Sequence, residues 1–242
     1  MADVRHSKCR VRKGVWVRIP PPASLGRRKP AGKGANRCLW GPWPVMGGPD
    51  PHKSSAWRIA RQQHGLITRA QLLELGYTRH AIRHRVSTGR LHPIHRGVFV
   101  VGRPELDMPG RCMAAVLACG PESMVSHQTA AELWGVRPPR GGPVEISVPA
   151  ALDRAVHGIR LHRRRSLDPS ELQRRLGIPI TSPIRTLVEL ATRLESRPLE
   201  AAINEADKID LIDPETLRLG LDGMRWQRGV PALRRVLARE PG

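Results

Sequence analysis

From Thr78 to Val101 the sequence reads TRHAIRHRVSTGRLHPIHRGVFVV, with five arginines, four histidines and no carboxylate. Guanidinium groups form paired hydrogen bonds to phosphate oxygens and to the guanine edge, and imidazoles bond to phosphates or base edges. The chemistry on offer is recognition of a polyanion, with double-stranded DNA as the expected partner. Arg79, His80, Arg83 and His84, started by Thr78, are expected to face the major groove. Thr68 and Arg69 just before them, and Arg90, His92, His95 and Arg96 just after, are expected to hold phosphates. His80 and His84 also stand four apart, a spacing at which two imidazoles on one helix share a metal ion. The interleaved arginines repel a dication, so no metal and no cofactor is expected. A basic face that is merely solvated is the plainer alternative. If the histidines contribute, DNA affinity rises as pH falls from roughly 7.5 to 6, around the ordinary histidine pKa of ~6.5.

Those side chains need a rigid mount, and the stretch from Ile67 to Val101 supplies the signals for one. Thr68 with Gln71 three residues on is a capping box, and Gly76 ends the short helix that follows. Thr78 is a second N-cap, opening a helix to about Thr88 in which Ala81, Ile82 and Val86 form a narrow apolar stripe. Gly89 ends it. Residues 90–96 and 97–101 then read as a two-stranded ribbon bending near Gly97. Two short helices and a ribbon are the layout of a winged helix-turn-helix. Ser54 or Ser55 is expected to cap a first helix through Trp57, Ile59 and Ala60, and Leu66-Ile67 to form a short strand beside the wing.

The whole chain agrees with a polyanionic partner. It has 242 residues and a formal net charge of +20, which favours nucleic acid over an acidic small molecule. Cys9, Cys38, Cys112 and Cys119 show no C-x-x-C spacing, so neither a zinc ribbon nor a redox pair is indicated, and a reducing cytoplasm is expected. No apolar run approaches the ~20 residues of a membrane span. Residues 1–53 are rich in Arg, Lys, Pro and Gly without apolar periodicity, and disorder is expected there. They read either as a basic arm tracking the DNA backbone or as the product of a start placed too far upstream. VWVRIPPP at residues 15–22 resembles a translated transfer-RNA T-arm, with Met46 near the expected true start.

Beyond the wing, RCMAAVLAC at 111–119 is apolar nearly all round and reads as a buried helix. SHQTAAELWG at 126–135 reads as a helix capped by Ser126, packed through Leu133 and Trp134 and closed by a glycine. Ser126 and His127 as nucleophile and base lack an evident orienting acid, so no catalytic residue is assigned. VEISV at 144–148 alternates as a half-exposed strand, and IRLH at 159–162 is another. Arg163, Arg164 and Arg165 extend the latter, as a phosphate contact or a solvated run. GIPITSP at 177–183 is a strand entering a helix with Ser182 as N-cap and Pro183 at its first position. Helices follow near 199–209, after Asp213-Pro214, and at 230–237. The expected fold is α+β: a winged helix-turn-helix over 54–103, then a mixed, mainly helical domain with a few short strands over 104–242.

ARQQHGLITRAQLLELGYTRHAIRHRVSTGRLHPIHRGVFVVG, with SH-x-x-AA-x-LWG and GIPIT-SP-x-RTL-x-EL-A further on, resembles the AbiEi family, antitoxins of type IV toxin–antitoxin systems; the actinobacterial branch is most similar. The resemblance covers roughly residues 56–240. It implies a regulator that binds inverted repeats in its own promoter, represses its operon, and counters a co-encoded nucleotidyltransferase-like toxin without a stable complex. Many relatives continue into an endonuclease-like domain that would begin beyond Gly242, and the Glu145 strand lacks the lysine and partnering aspartate of a nuclease metal site. The chain is therefore expected not to be an enzyme. The alternatives are the regulatory half of a defence-associated endonuclease-like protein, or a protein-interaction module that does not bind DNA.

Overall fold

The computed structural model describes residues 51–152, 155–165 and 171–239, with side chains from Ser55 onward. The expectations for residues 1–50 lie outside the described residues. The first helix, α1 (Pro51–Gln62), begins earlier than expected, so Ser54 and Ser55 lie inside it rather than capping it. Proline has its backbone angle preset for a helix and needs no partner for a missing N–H, so it opens a helix without a cap. His64 and Gly65, both at positive φ, turn the chain out of it.

Strand β1 (Leu66–Thr68) leads into α2 (Arg69–Glu74), α3 (Arg79–Ser87), β2 (Leu91–His95) and β3 (Val98–Val101). The three strands form an antiparallel sheet in the order β1-β3-β2, with Leu66 opposite Val100 and Ile67 opposite Phe99. The register of β2 against β3 slips between Pro93 and His95, which leaves Ile94 as an extra residue in a bulge. β3 is the shared wall of two cores. Phe99 faces a small cluster with Ile67, Leu72, Ile82 and Leu91. Val98 and Val100 face the larger core, with Leu66 and the helix that follows. A strand covered on both faces explains the uninterrupted apolar run VFVV.

That next helix, α4 (Met108–Cys119), is capped by Asp107, whose carboxylate accepts the Gly110 N–H at 2.8 Å. It is buried nearly all round, as its composition requires, and it contacts both sheets. The second sheet contains β4 (Met124–Val125), β5 (Val144–Pro149), β6 (Ile159–Arg164), β7 (Leu172–Arg175) and β8 (Ile178–Thr181), ordered β6-β5-β4-β8-β7. β5 pairs with β6 and β4 with β8 in parallel; the other pairings are antiparallel. Around it pack α5 (His127–Trp134), α6 (Pro183–Leu190), α7 (Ser196–Lys208), α8 (Pro214–Asp222) and α9 (Val230–Leu237). The α+β class read from the sequence is the class observed.

Several local expectations hold. Ser182 accepts the Arg185 N–H at 3.3 Å with Pro183 at the helix start, and Gly135 closes α5 in the left-handed conformation. Another does not: β5 is not half-exposed but buried from Val144 to Val148. It is an inner strand. Val144, Ile146 and Val148 join the core, while Glu145 and Ser147 alternate to the opposite face and are covered there by a charged network. The two parts of the fold also touch at a turn, where His64 Nε2 donates to the Leu176 carbonyl at 2.8 Å.

Candidate nucleic-acid interface

The turn between α2 and α3 is fixed by local hydrogen bonds. Thr68 Oγ1 accepts from Gln71 N at 3.2 Å while Gln71 Oε1 accepts from Thr68 N at 2.9 Å, completing the capping box. At the other end Gly76, at φ +83°, lets Tyr77 N reach Leu72 O and Gly76 N reach Leu73 O. That paired closure ends α2 within one residue and aims the chain into α3. Thr78 Oγ1 then accepts from Ala81 N at 3.1 Å. The same closure recurs at Gly89, with Arg90 N on Arg85 O and Gly89 N on Val86 O.

Helix α3 is anchored by Ile82, which is 2% exposed. Around that anchor, Arg79, His80, Arg83 and His84 are all exposed. Their spacing puts Arg79 with Arg83 and His80 with His84 on adjacent rows of one face. Arg85, the remaining arginine of the helix, is withdrawn from it. Its guanidinium lies 4.5 Å from the Tyr77 ring centre and bonds to Ala81 O.

Arg69, at the start of α2, joins this face. With Arg79, Ile82 and Arg83 it lines a hollow of about 280 Å³. Its guanidinium is 5.9 Å from the Phe99 ring centre, and its backbone N–H donates to Gly97 O at 2.7 Å. The wing residues are more dispersed. Arg96 is exposed and shares a second hollow, of about 710 Å³, with Thr68, Arg69 and Arg174. Arg90 is exposed beside a third, largely apolar hollow lined by Trp57 and Tyr77. His92 and His95 are half-buried. Burial, and then the neighbouring His157, hold the His95 imidazole below its ordinary value, so it gains charge only at a lower pH than a free histidine.

A second polar constellation was not read from the sequence. Ser126 stands at the N-cap of α5, but its hydroxyl makes no cap bond; it lies 3.0 Å from His127 Nδ1 instead. The first N–H groups of the helix are taken by carboxylates from other elements, His127 N by Glu189 at 2.7 Å and Gln128 N by Glu145 at 3.2 Å. An acid beside His127, expected to be lacking, is therefore present: Glu189 Oε2 is 3.3 Å from Nδ1. His127 itself sits at φ +54°, a conformation that costs a non-glycine residue on the order of 1–2 kcal/mol. His162 stacks on it with ring centres 3.7 Å apart.

Arginines surround this pair. Glu145 is met by Arg160 at 3.1 Å and Arg193 at 2.9 Å. Glu189 is met by Arg164 and by Arg185, and both arginines also reach Glu171. The run 163–165 is thus split between two environments rather than solvated as a unit. Strand alternation turns Arg164 inward and leaves Arg163 and Arg165 exposed. His127, Glu145 and His162 bring ligand atoms within 4.8 Å of one another. Nearly parallel stacked rings do not aim two lone pairs at one ion, and the guanidiniums beside them repel a cation. Burial, followed by His162 and Arg193, pushes the His127 imidazole down to about 3, so it is neutral. Burial pushes the Glu145 carboxyl up, but His162 at 3.7 Å and Arg193 outweigh that and bring it down to about 2.

Both depressions make stability depend on pH in the same direction. The unfolded chain takes up a proton at His127 near 6.5 and the folded chain only near 3, so that contribution is complete above pH 6.5 and is lost between the two values. Glu145 adds a loss between 4.5 and 2. The melting temperature is expected to fall steadily from pH 6.5 to 4. In His127→Gln the decline between 6.5 and 4.5 should flatten. An equal slope in both proteins would remove His127 as its source.

Two capped helices at a tight turn, a basic exposed second helix and a trailing ribbon make residues 55–101 a winged helix-turn-helix. Residues 58–102 match the family model described as "Transcriptional regulator, AbiEi antitoxin". The matched segment thus resembles that of a transcriptional regulator of the antitoxin type, the same family that the sequence motifs resemble. No curated protein matches the chain. A crystal structure of the RV2827C protein from Mycobacterium tuberculosis is similar at 22% identity, covering 80% of this chain and 83% of that one, with a TM-score of 0.44. No helix among the described residues is long and apolar enough to cross a membrane.

Proposed function

We propose that this protein is a DNA-binding transcriptional repressor of the antitoxin class, acting in the cytoplasm on inverted repeats in the promoter of its own operon. The observation that carries this reading is the exposed row Arg79, His80, Arg83 and His84 on a helix capped at both ends, with Arg69 converging on it. In this reading α3 enters the major groove and its four side chains reach base edges, while Thr68, Arg69, Arg90, His92, His95 and Arg96 position the backbone. Residues 104–242 form the regulatory domain, which counters a nucleotidyltransferase-like toxin without a lasting complex.

Gel shifts on the promoter against a random duplex test the assignment of roles. Arg83→Ala is expected to weaken specific binding by about 1–3 kcal/mol and to relax preference at one base pair. Arg96→Ala should weaken both duplexes alike and lower the salt slope by about one. Equal losses from the two variants on both duplexes would show that α3 does not read sequence. Because His95 is held below its ordinary value, its share of any gain in affinity on acidification belongs below pH 6.5.

A further inference from the structure

We infer that the cleft between β6, α6 and the turn before α9 binds a nucleoside phosphate, with its phosphate on arginines and its base stacked on Trp226. The cleft encloses about 860 Å³, the size range of small-ligand sites, and the stacked His127 and His162 line it. At its base the charges cancel, since Arg164 and Arg185 are paired with Glu171 and Glu189. Among the described lining residues, Arg165 and Arg228 add two positive charges that no further lining acid balances. A cation is repelled there, and an anion is drawn into a concave, partly desolvated surface.

The aromatic at the rim narrows the class of anion. Trp226 is 93% exposed, so its indole takes no part in the core. An indole beside unbalanced arginines is the pairing that holds single nucleotides and unpaired strands, because any base can stack on it while the phosphate meets the guanidiniums. A neutral imidazole at His127 adds a hydrogen-bonding group that does not repel a ligand of either polarity. A duplex does not fit, because its bases would have to leave their stack to reach the indole. The ligand is therefore a free nucleotide or the end of a single strand. The residues involved are separate from Arg79, Arg83 and Arg69, so this inference stands apart from the promoter reading.

Isothermal titration calorimetry on the full chain at low salt tests it. The probes are nucleoside mono- and triphosphates, short single-stranded ribo- and deoxyoligonucleotides, and inorganic pyrophosphate. Binding of a nucleotide or a strand is expected, weakened roughly tenfold in Trp226→Ala. Arg165→Ala/Arg228→Ala should also weaken it and reduce its salt dependence. Saturation by mononucleotides identifies the free nucleotide as the source, and binding of strands alone identifies a strand end. Arg83→Ala should leave these titrations unchanged while impairing the promoter duplex, and Trp226→Ala should do the reverse. No heat from any nucleotide or strand at millimolar concentration overturns the inference. So does pyrophosphate binding as tightly as nucleotides with no effect of Trp226→Ala, which would mean a site for anions alone. All four substituted side chains are exposed, so the variants are expected to fold.

Discussion

Glu189→Ala is expected to cost about 3–5 kcal/mol of stability, the range for removing one member of a buried ion pair. Glu189 is 3% exposed and carries several attachments at once. It accepts the His127 N–H, pairs with Arg185 at 3.1 Å, and also pairs with Arg164. Deleting it leaves two guanidiniums, both largely buried, sharing Glu171 as their one carboxylate among the described residues, with an uncapped N–H at the start of α5. Glu189→Gln keeps the shape and an acceptor for His127 N but removes the charge, so its loss should be smaller. Urea unfolding of the three proteins checks both the size and the order. A loss below about 1 kcal/mol for alanine, the level of a surface pair, would mean that the network is solvated rather than interior.

Gly229→Ala is the second large effect, and its cause is purely steric. Gly229 precedes α9 with φ −77°, a conformation that alanine adopts without strain. A methyl group there would run into the carbonyl oxygen of Val188 in α6 and come within 3.2 Å of the Ala191 methyl. The obstacle is backbone, so α6 and α9 must part. Overpacking of this kind costs about 3 kcal/mol, equivalent to roughly 6–12 °C in the melting temperature of a domain this size. An unchanged melting temperature would show that the two helices are not in contact there. α6 also carries Arg185 and Glu189, so the same substitution should reduce binding in the neighbouring cleft.

What the sequence disclosed and what it hid divide along the distance between interacting residues. Thr68 with Gln71, Thr78 with Ala81, and Ser182 with Arg185 are partners three residues apart, and each cap was legible as a local pattern. Gly76, Gly89 and Gly135 marked helix ends for the same reason. The basic face of α3 was legible because a helix maps spacing directly onto surface. The network around His127 was not, since its members at 127, 145, 162, 171, 185 and 189 meet only through the order of the second sheet. Alternation in VEISV distinguished polar from apolar residues but carried no information about what would cover the polar ones. A clue was nonetheless present. Glu145 and Glu189 are the single carboxylates of β5 and α6, each set between apolar neighbours, where a charge needs a partner. The same period of two, applied to 163–165, would have separated Arg164 from its neighbours.

Severing the chain after Val101 would not release a self-sufficient reading head. Leu66, Val98 and Val100 would lose the helix that shields them, and a fragment with such a greasy flank should clump rather than stay dispersed. The helix-turn-helix and the larger half thus share one strand as a wall, and whatever loosens that half should reach α3 through it.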